Sequence, residues 1–187
     1  MINYVLDSLT LIVSLVVLAF NIIFSKRENT RRFLIDNVIH QRNADMLELR
    51  KLTAQFSTLS DINIVKKRIG EECYLNEVVS CSKNINHILK RQYEEDKKVL
   101  KIKEHLVTKI IDFYNSKQLN LLDEIDKLNL LFGKVTELYV FCAWQCIKIQ
   151  GTGEKRLESN DFGMLFIKYK QSYLNEDDIE FMDSLVE

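Results

Sequence analysis

An uncharged apolar stretch near the N-terminus constrains the fold of this chain more than any other feature. Residues 9–24 read LTLIVSLVVLAFNIIF, and twelve of these sixteen residues are Leu, Ile, Val or Phe. A hydrocarbon core of about 30 Å requires about 20 apolar residues in a helix that rises about 1.5 Å per residue. The stretch therefore predicts a transmembrane helix over residues 1–25.

The charges that flank this stretch predict its orientation. Lys26, Arg27, Arg31 and Arg32 follow it, whereas no Lys or Arg precedes it. The positive-inside rule then predicts a single-pass protein of the inner (plasma) membrane, with the N-terminus outside and the remainder cytoplasmic. The same four basic side chains are candidates for contacts with anionic lipid headgroups.

Three other interpretations of the stretch are weaker. A cleaved signal peptide needs a basic n-region and a small-residue cleavage site, and the sequence has neither. A buried helix of a soluble protein usually shows polar residues on one face, and an interfacial amphipathic helix requires a polar face. The stretch lacks such a face, which favours a membrane span.

The composition predicts that the rest of the chain is all-α. The 187 residues include no proline and only five glycines, residues that β and α/β domains normally use in their turns. A formal net charge of −1 gives no global attraction to nucleic acid, so no nucleic-acid partner is expected. The four cysteines are compatible with free thiols in a reducing cytosol.

The predicted fold is a membrane helix that continues into a juxtamembrane stalk helix over residues 26–57 and a cytoplasmic helical bundle over residues 58–187. The stalk contains no helix breaker, and the sequence STLSD at 57–61 predicts its end and the next N-cap.

Further boundaries are predicted within the bundle. One helix is expected over residues 62–81, with Gly70 as a weak point, and Ser82 or Asn84 is expected to cap the next helix. That helix would run through the charged stretch 90–103 to about Tyr114. Two short helices are expected at the end of the chain, one ending near residue 173 and one over residues 176–186.

The strongest periodic pattern lies in the second half of the chain. Apolar residues recur there at alternating steps of three and four, over more than three heptads. This predicted helix–helix seam consists of Ile125, Leu128, Phe132, Val135, Tyr139, Cys142, Cys146 and Ile149. Additional apolar residues widen the stripe, which favours the central helix of a bundle over an isolated coiled coil.

No pattern in the sequence names a reaction, and no catalytic, cofactor-binding or metal-ligating residue is predicted. Cys142 and Cys146 lie four apart on the seam, but the three histidines are scattered and supply no further ligands at metal-site spacing. The run GTGEKR at 151–156 lacks the spacing of a phosphate loop and is interpreted as a helix-terminating turn. The acidic group at 94–96 is interpreted as part of a solvated helix face.

One segment resembles a known family. Residues 30–56, TRRFLIDNVIHQRNADMLELRKLTAQF, contain a basic pair, a short apolar run, a polar stretch with Asp and a LELRKL helix, all following the predicted span. This arrangement resembles the bacterial and phage membrane proteins grouped as domain of unknown function 4760. The resemblance implies a small membrane-anchored helical protein, sometimes associated with phage or mobile elements, and it supplies no catalytic residues.

Together these features lead to two hypotheses of different classes. The first is a non-enzymatic membrane-anchored protein whose bundle binds a protein partner or a second copy of itself. A sharper version assigns it to phage–host conflict, as a defence effector or a superinfection-exclusion factor. The alternative is a membrane-tethered enzyme or ligand sensor, with a site inside the bundle.

Overall fold

The computed structural model describes residues 2–33, 37, 39–89, 94–152 and 161–186. Within these residues the chain is all-α, as predicted, and contains no strand. The helices are α1 (Ile2–Phe33), α2 (His40–Leu59), α3 (Ile62–Arg68), α4 (Glu72–Ile88), α5 (Glu94–Ser116), α6 (Asn120–Thr152), α7 (Asp161–Tyr173) and α8 (Glu176–Val186).

The chain divides into two compact units, residues 1–41 and residues 42–187. The first unit consists chiefly of α1, a helix of 32 residues. Near its end the guanidinium of Arg32 lies 3.4 Å from the carboxylate of Glu28, one turn earlier. Both side chains are substantially exposed, so this pair contributes little to helix stability.

The second unit is a bundle built around α6. Helices α5 and α7 pack along α6, while α4 and α8 pack against α5. The α6 helix can occupy the centre because apolar residues cover more than one of its faces, as the widened stripe predicted. Its core contacts include the ring of Phe132, which meets Phe56 of α2 edge-on at a centroid distance of 5.2 Å.

Between α2 and α5 the structure differs from the prediction at two helix boundaries. The helix expected over residues 62–81 is two helices, α3 and α4, separated at Gly70, the predicted weak point. Neither Ser82 nor Asn84 caps a helix, because α4 continues without interruption to Ile88. Ser82 lies within α4 and is buried in the bundle.

Several other boundaries agree with the prediction. Asp61 caps α3, and its carboxylate accepts a hydrogen bond from the backbone N–H of Asn63 at 2.9 Å. At the start of α8, Asn175 accepts from the N–H of Asp178 at 2.7 Å, and Asp178 accepts from the N–H of Asn175 at 3.1 Å. This reciprocal capping pair satisfies two N–H groups that the helix itself leaves unbonded.

Two predicted features reach residues outside the described ranges. The predicted stalk corresponds to the end of α1 and most of α2, and its continuity through residues 34–36 and 38 stays a prediction. Of the run 151–156, which was predicted to be a helix-terminating turn, residues 151 and 152 still belong to α6, and residues 153–156 lie outside the described ranges.

Candidate membrane anchor and interaction surfaces

The α1 helix exposes apolar side chains on all of its faces. Ten large hydrophobic residues between Ile12 and Phe24 are each 53–69 % exposed. Thirteen consecutive helical positions cover more than three turns, so the exposed side chains cannot be confined to one stripe. A helix that is hydrophobic all round requires an apolar environment, either a protein interior or a lipid bilayer.

The predicted headgroup residues lie just beyond this apolar surface. Lys26 and Arg27 are exposed on α1, and Arg32 is exposed one to two turns later. Arg31 also belongs to α1, but its side chain lies outside the description. At least three cations are therefore available within two turns of the apolar segment, which is the arrangement that electrostatic contact with anionic headgroups requires.

Among the described residues, the Asn120–Gln150 segment of α6 has the length and composition of a membrane span. Half of the most apolar part of this segment is buried inside the bundle. The core helix of a soluble protein can have the same length and composition. The packing of α6 against α5 and α7 accounts for its apolar character without a membrane.

The residues of the predicted seam point into the bundle. Ile125, Phe132, Val135 and Cys142 are fully buried, and Leu128 and Tyr139 are nearly so. Cys146 and Ile149, at the end of the stripe, are only half-buried. The seam therefore meets other helices of the same chain along most of its length, and it offers little surface to a partner.

A polar cluster lies within the core, where the sequence predicted a solvated face. Glu95, Asp96 and Lys103 of α5 are all buried, which corrects the prediction for Glu95 and Asp96, whereas Glu94 is exposed as predicted. The Tyr139 hydroxyl donates to the carboxylate of Asp96 at 2.6 Å, and Lys103 donates to the Ser82 carbonyl at 3.2 Å. Lys103 also donates to the side-chain oxygen of Asn86.

A signal for this cluster was present in the sequence. Asp96 and Lys103 continue the steps of three and four that run through Val99, Leu106 and Ile110, so both fall on the buried face of α5. Charge alone suggested exposure, whereas position in the repeat indicated burial. Buried charged groups need hydrogen-bonding partners; Tyr139 provides one for Asp96, and Ser82 and Asn86 provide them for Lys103.

The cysteines are positioned as packing residues. All four are free thiols, and only Cys73 is exposed. Burial raises the pKa of Cys142 to about 12, with smaller contributions from Cys146 and Glu95. Burial likewise raises the pKa of Cys146, so both thiols stay protonated and weakly reactive near neutral pH. Within the described ranges, no group of three or more His, Cys, Asp or Glu side chains is arranged to hold a metal ion.

A groove runs along the outer side of α6. It has a volume of about 470 Å³, and α2 and the end of α7 contribute to its walls. Its apolar part is formed by Val140, Phe141 and Trp144 of α6, together with Tyr173 of α7. This groove was not predicted from the sequence, because the extra apolar residues of α6 were assigned to a wider core stripe.

Known proteins supply no guide to the function of these surfaces. Comparison of the chain with protein-family models, curated proteins and solved structures finds no match. The function is therefore argued from the apolar helix, its basic flank, the surface of the bundle and the resemblance of residues 30–56.

Proposed function

We propose that the protein is a single-pass membrane protein, anchored by α1, whose helical bundle binds another protein or a second copy of itself at the inner membrane. The proposal assigns no reaction to the chain. The basic residues after the span support a cytoplasmic position for the bundle, by the positive-inside rule. The resemblance of residues 30–56 to small phage and bacterial membrane proteins extends the proposal to phage–host conflict, as a defence effector or exclusion factor.

The observation that carries the proposal is the exposed apolar surface of α1 between Ile12 and Phe24. Ten exposed large hydrophobic side chains within thirteen residues would form an aggregation-prone surface in water. In a bilayer each Leu, Ile, Val or Phe contributes roughly −0.3 to −0.6 kcal/mol to insertion, which outweighs the cost of Ser14 and Asn21. The bundle of residues 42–187, in contrast, has its own hydrophobic core.

Membrane extraction of two matched variants tests the anchor. We expect the native chain to remain in the pellet when cell membranes are washed with alkaline carbonate. Val16→Arg combined with Phe20→Arg should move the protein to the supernatant, because each arginine costs about 2.5–3.5 kcal/mol near the centre of a span. Leu119→Arg with Ile167→Arg is the control, since both residues are more than 70 % exposed on the bundle.

Two results would contradict this assignment. If the α1 variant stays in the pellet while the bundle variant is released, the anchor is not α1. If the native chain itself is extracted by carbonate, the protein does not span the membrane.

The interaction part of the proposal has a separate test. We would purify C-terminally tagged protein in a mild detergent, measure its mass by light scattering and identify co-purifying proteins by mass spectrometry. A stoichiometric partner or a defined homo-oligomer supports an interaction role. A monomer that carries a bound small molecule would instead support the sensor or enzyme alternative.

A further inference from the structure

The groove on α6 has the dimensions of a helix-binding site. Glu137 lies near one end and Lys148 at the other, and the eleven helical steps that separate them span roughly 16 Å. Along this length Glu137, Phe141, Trp144 and Lys148 follow one another at steps of four, three and four. This spacing is the one by which a helix presents a continuous face to another helix.

The apolar part of the groove is preformed. The ring of Phe141 packs against Tyr169 at a centroid distance of 4.9 Å and against Tyr173 at 5.7 Å. These neighbours hold Phe141 in place, while Trp144 beside it is only half-buried. Aromatic side chains in such pockets are the residues that most often dominate the energy of protein–protein contacts.

Two basic side chains beside the aromatic residues favour a negatively charged partner in the groove. Arg50 contributes from α2 and Lys148 from α6. The α2 helix runs antiparallel to α6, because Ser57 bonds Asn129 and Arg42 bonds Gln150, so Arg50 lies about level with Val140. In the described part of the chain, neither Arg50 nor Lys148 lies within ion-pair distance of a carboxylate.

We propose that this groove is the docking site for one acidic amphipathic helix of a partner protein. Its apolar side chains would cover Val140, Phe141 and Trp144, and its carboxylates would pair with Arg50 and Lys148. Arg50, level with Val140, and Lys148 lie about two helical turns apart along α6, so a bound helix needs carboxylates at two positions separated by about two turns. This inference rests on the proposed interaction role and specifies the class of partner.

The shape of the surface favours a separate helix over a second copy of the bundle. Helix-in-groove recognition requires a convex apolar ridge on the partner. The same face of a second copy is concave as well, and two concave faces cannot interdigitate. A lone helix supplies the ridge, and its binding leaves the bundle core unchanged.

Trp144 provides the assay, because it is the only tryptophan of the chain and lies in the groove. Full-length protein in mild nonionic detergent would be titrated with a synthetic, Trp-free 16-residue helical peptide with Leu and Phe at helical spacing and Glu on the flanks. The comparison peptide has Lys in place of each Glu. We expect the acidic peptide to shift Trp144 emission and to bind at least tenfold more tightly than the basic peptide.

Charge reversal locates the binding to the groove. Arg50→Glu with Lys148→Glu should weaken binding of the acidic peptide at least tenfold and strengthen binding of the basic one. Lys51→Glu with Lys127→Glu is the control, because these exposed residues lie on the same two helices but do not line the groove. The control changes net charge equally and should leave the preference for the acidic peptide intact.

The proposal is overturned if the two peptides bind equally, if both double variants lose binding to the same extent, or if light scattering shows that the groove is covered in a dimer that Arg50→Glu with Lys148→Glu dissociates. These outcomes are separable from failure of the proposed function. A chain that stays in carbonate-washed membranes and keeps its partner when Arg50 and Lys148 are reversed retains its interaction role and loses only this groove as the site.

Discussion

At the scale of single residues, Asp178 makes more than one stabilising contact. Its carboxylate lies 2.7 Å from the ammonium of Lys134 on α6 and also accepts from the N–H of Asn175 at the start of α8. Burial alone would raise the pKa of Asp178, but the hydrogen bonds from Lys134 and Asn175 and the charge of Lys134 outweigh it and lower the pKa. One side chain therefore both starts α8 and attaches it to the centre of the bundle.

Replacement of this carboxylate should be costly near neutral pH and less costly in acid. We expect Asp178→Asn to lower the free energy of unfolding by about 1–2 kcal/mol at pH 7, since a charge-assisted hydrogen bond is lost. A depressed folded-state pKa stabilises the protein above the unfolded pKa of about 3.9, and this stabilisation disappears as pH falls through the folded pKa. The gap between native and variant should therefore narrow toward pH 2.

Urea denaturation followed by circular dichroism, on full-length protein in nonionic detergent, measures this residue-scale effect. Asp177→Asn serves as the control, because it removes the same charge from an exposed residue in the same helical turn. Equal losses in the two variants would show that charge at the helix N-terminus, and not the contact with Lys134, accounts for the effect.

At the scale of helices, the sequence predicted the long helices better than the points at which a helix is interrupted. Periodicity predicted α6 as the central helix, because one pattern repeats over more than three heptads and tertiary packing reinforces it. The division between α3 and α4 was only a weak point in the sequence, since Gly70 is compatible with either a helix interior or a turn. The groove was unpredictable, because it depends on where α2 and Tyr173 lie relative to α6.

Gly133, inside α6, gives a prediction about the stability of a helix. A Cβ added at Gly133 meets no other atom within 4 Å. We expect Gly133→Ala to raise the free energy of unfolding by about 0.5–1 kcal/mol, because alanine loses less backbone entropy in a helix. Gly70→Ala is the matched control: its added Cβ also meets no other atom within 4 Å, but Gly70 lies between helices. A destabilised Gly133→Ala variant in urea melts would contradict this account of α6.

At the scale of the whole molecule, α6 has the length and composition of a membrane span, whereas α1 is the span that we propose, and the surroundings of the two helices differ. In α6 the apolar side chains of the seam pack against neighbouring helices, and removing α6 from the bundle would expose the core residues of α5 and α7. In α1 the apolar side chains between Ile12 and Phe24 are exposed within their own unit. Insertion of α1 into lipid would remove its apolar side chains from water and leave the core around α6 intact. Insertion of α6 would disrupt that core and leave the apolar side chains of α1 in water.

The orientation of the protein across the membrane can be tested by chemical labelling of a cysteine in the bundle. Cys73 is the exposed cysteine, while the other three thiols are buried or half-buried. If the bundle is cytoplasmic, a membrane-impermeant maleimide should label Cys73 only after the inner membrane is permeabilised. Asn3→Cys, introduced in a Cys73→Ser background, should be labelled in intact spheroplasts because the N-terminus is predicted to lie outside. Labelling of Cys73 in intact spheroplasts would place the bundle outside and reverse the role assigned to Lys26, Arg27, Arg31 and Arg32.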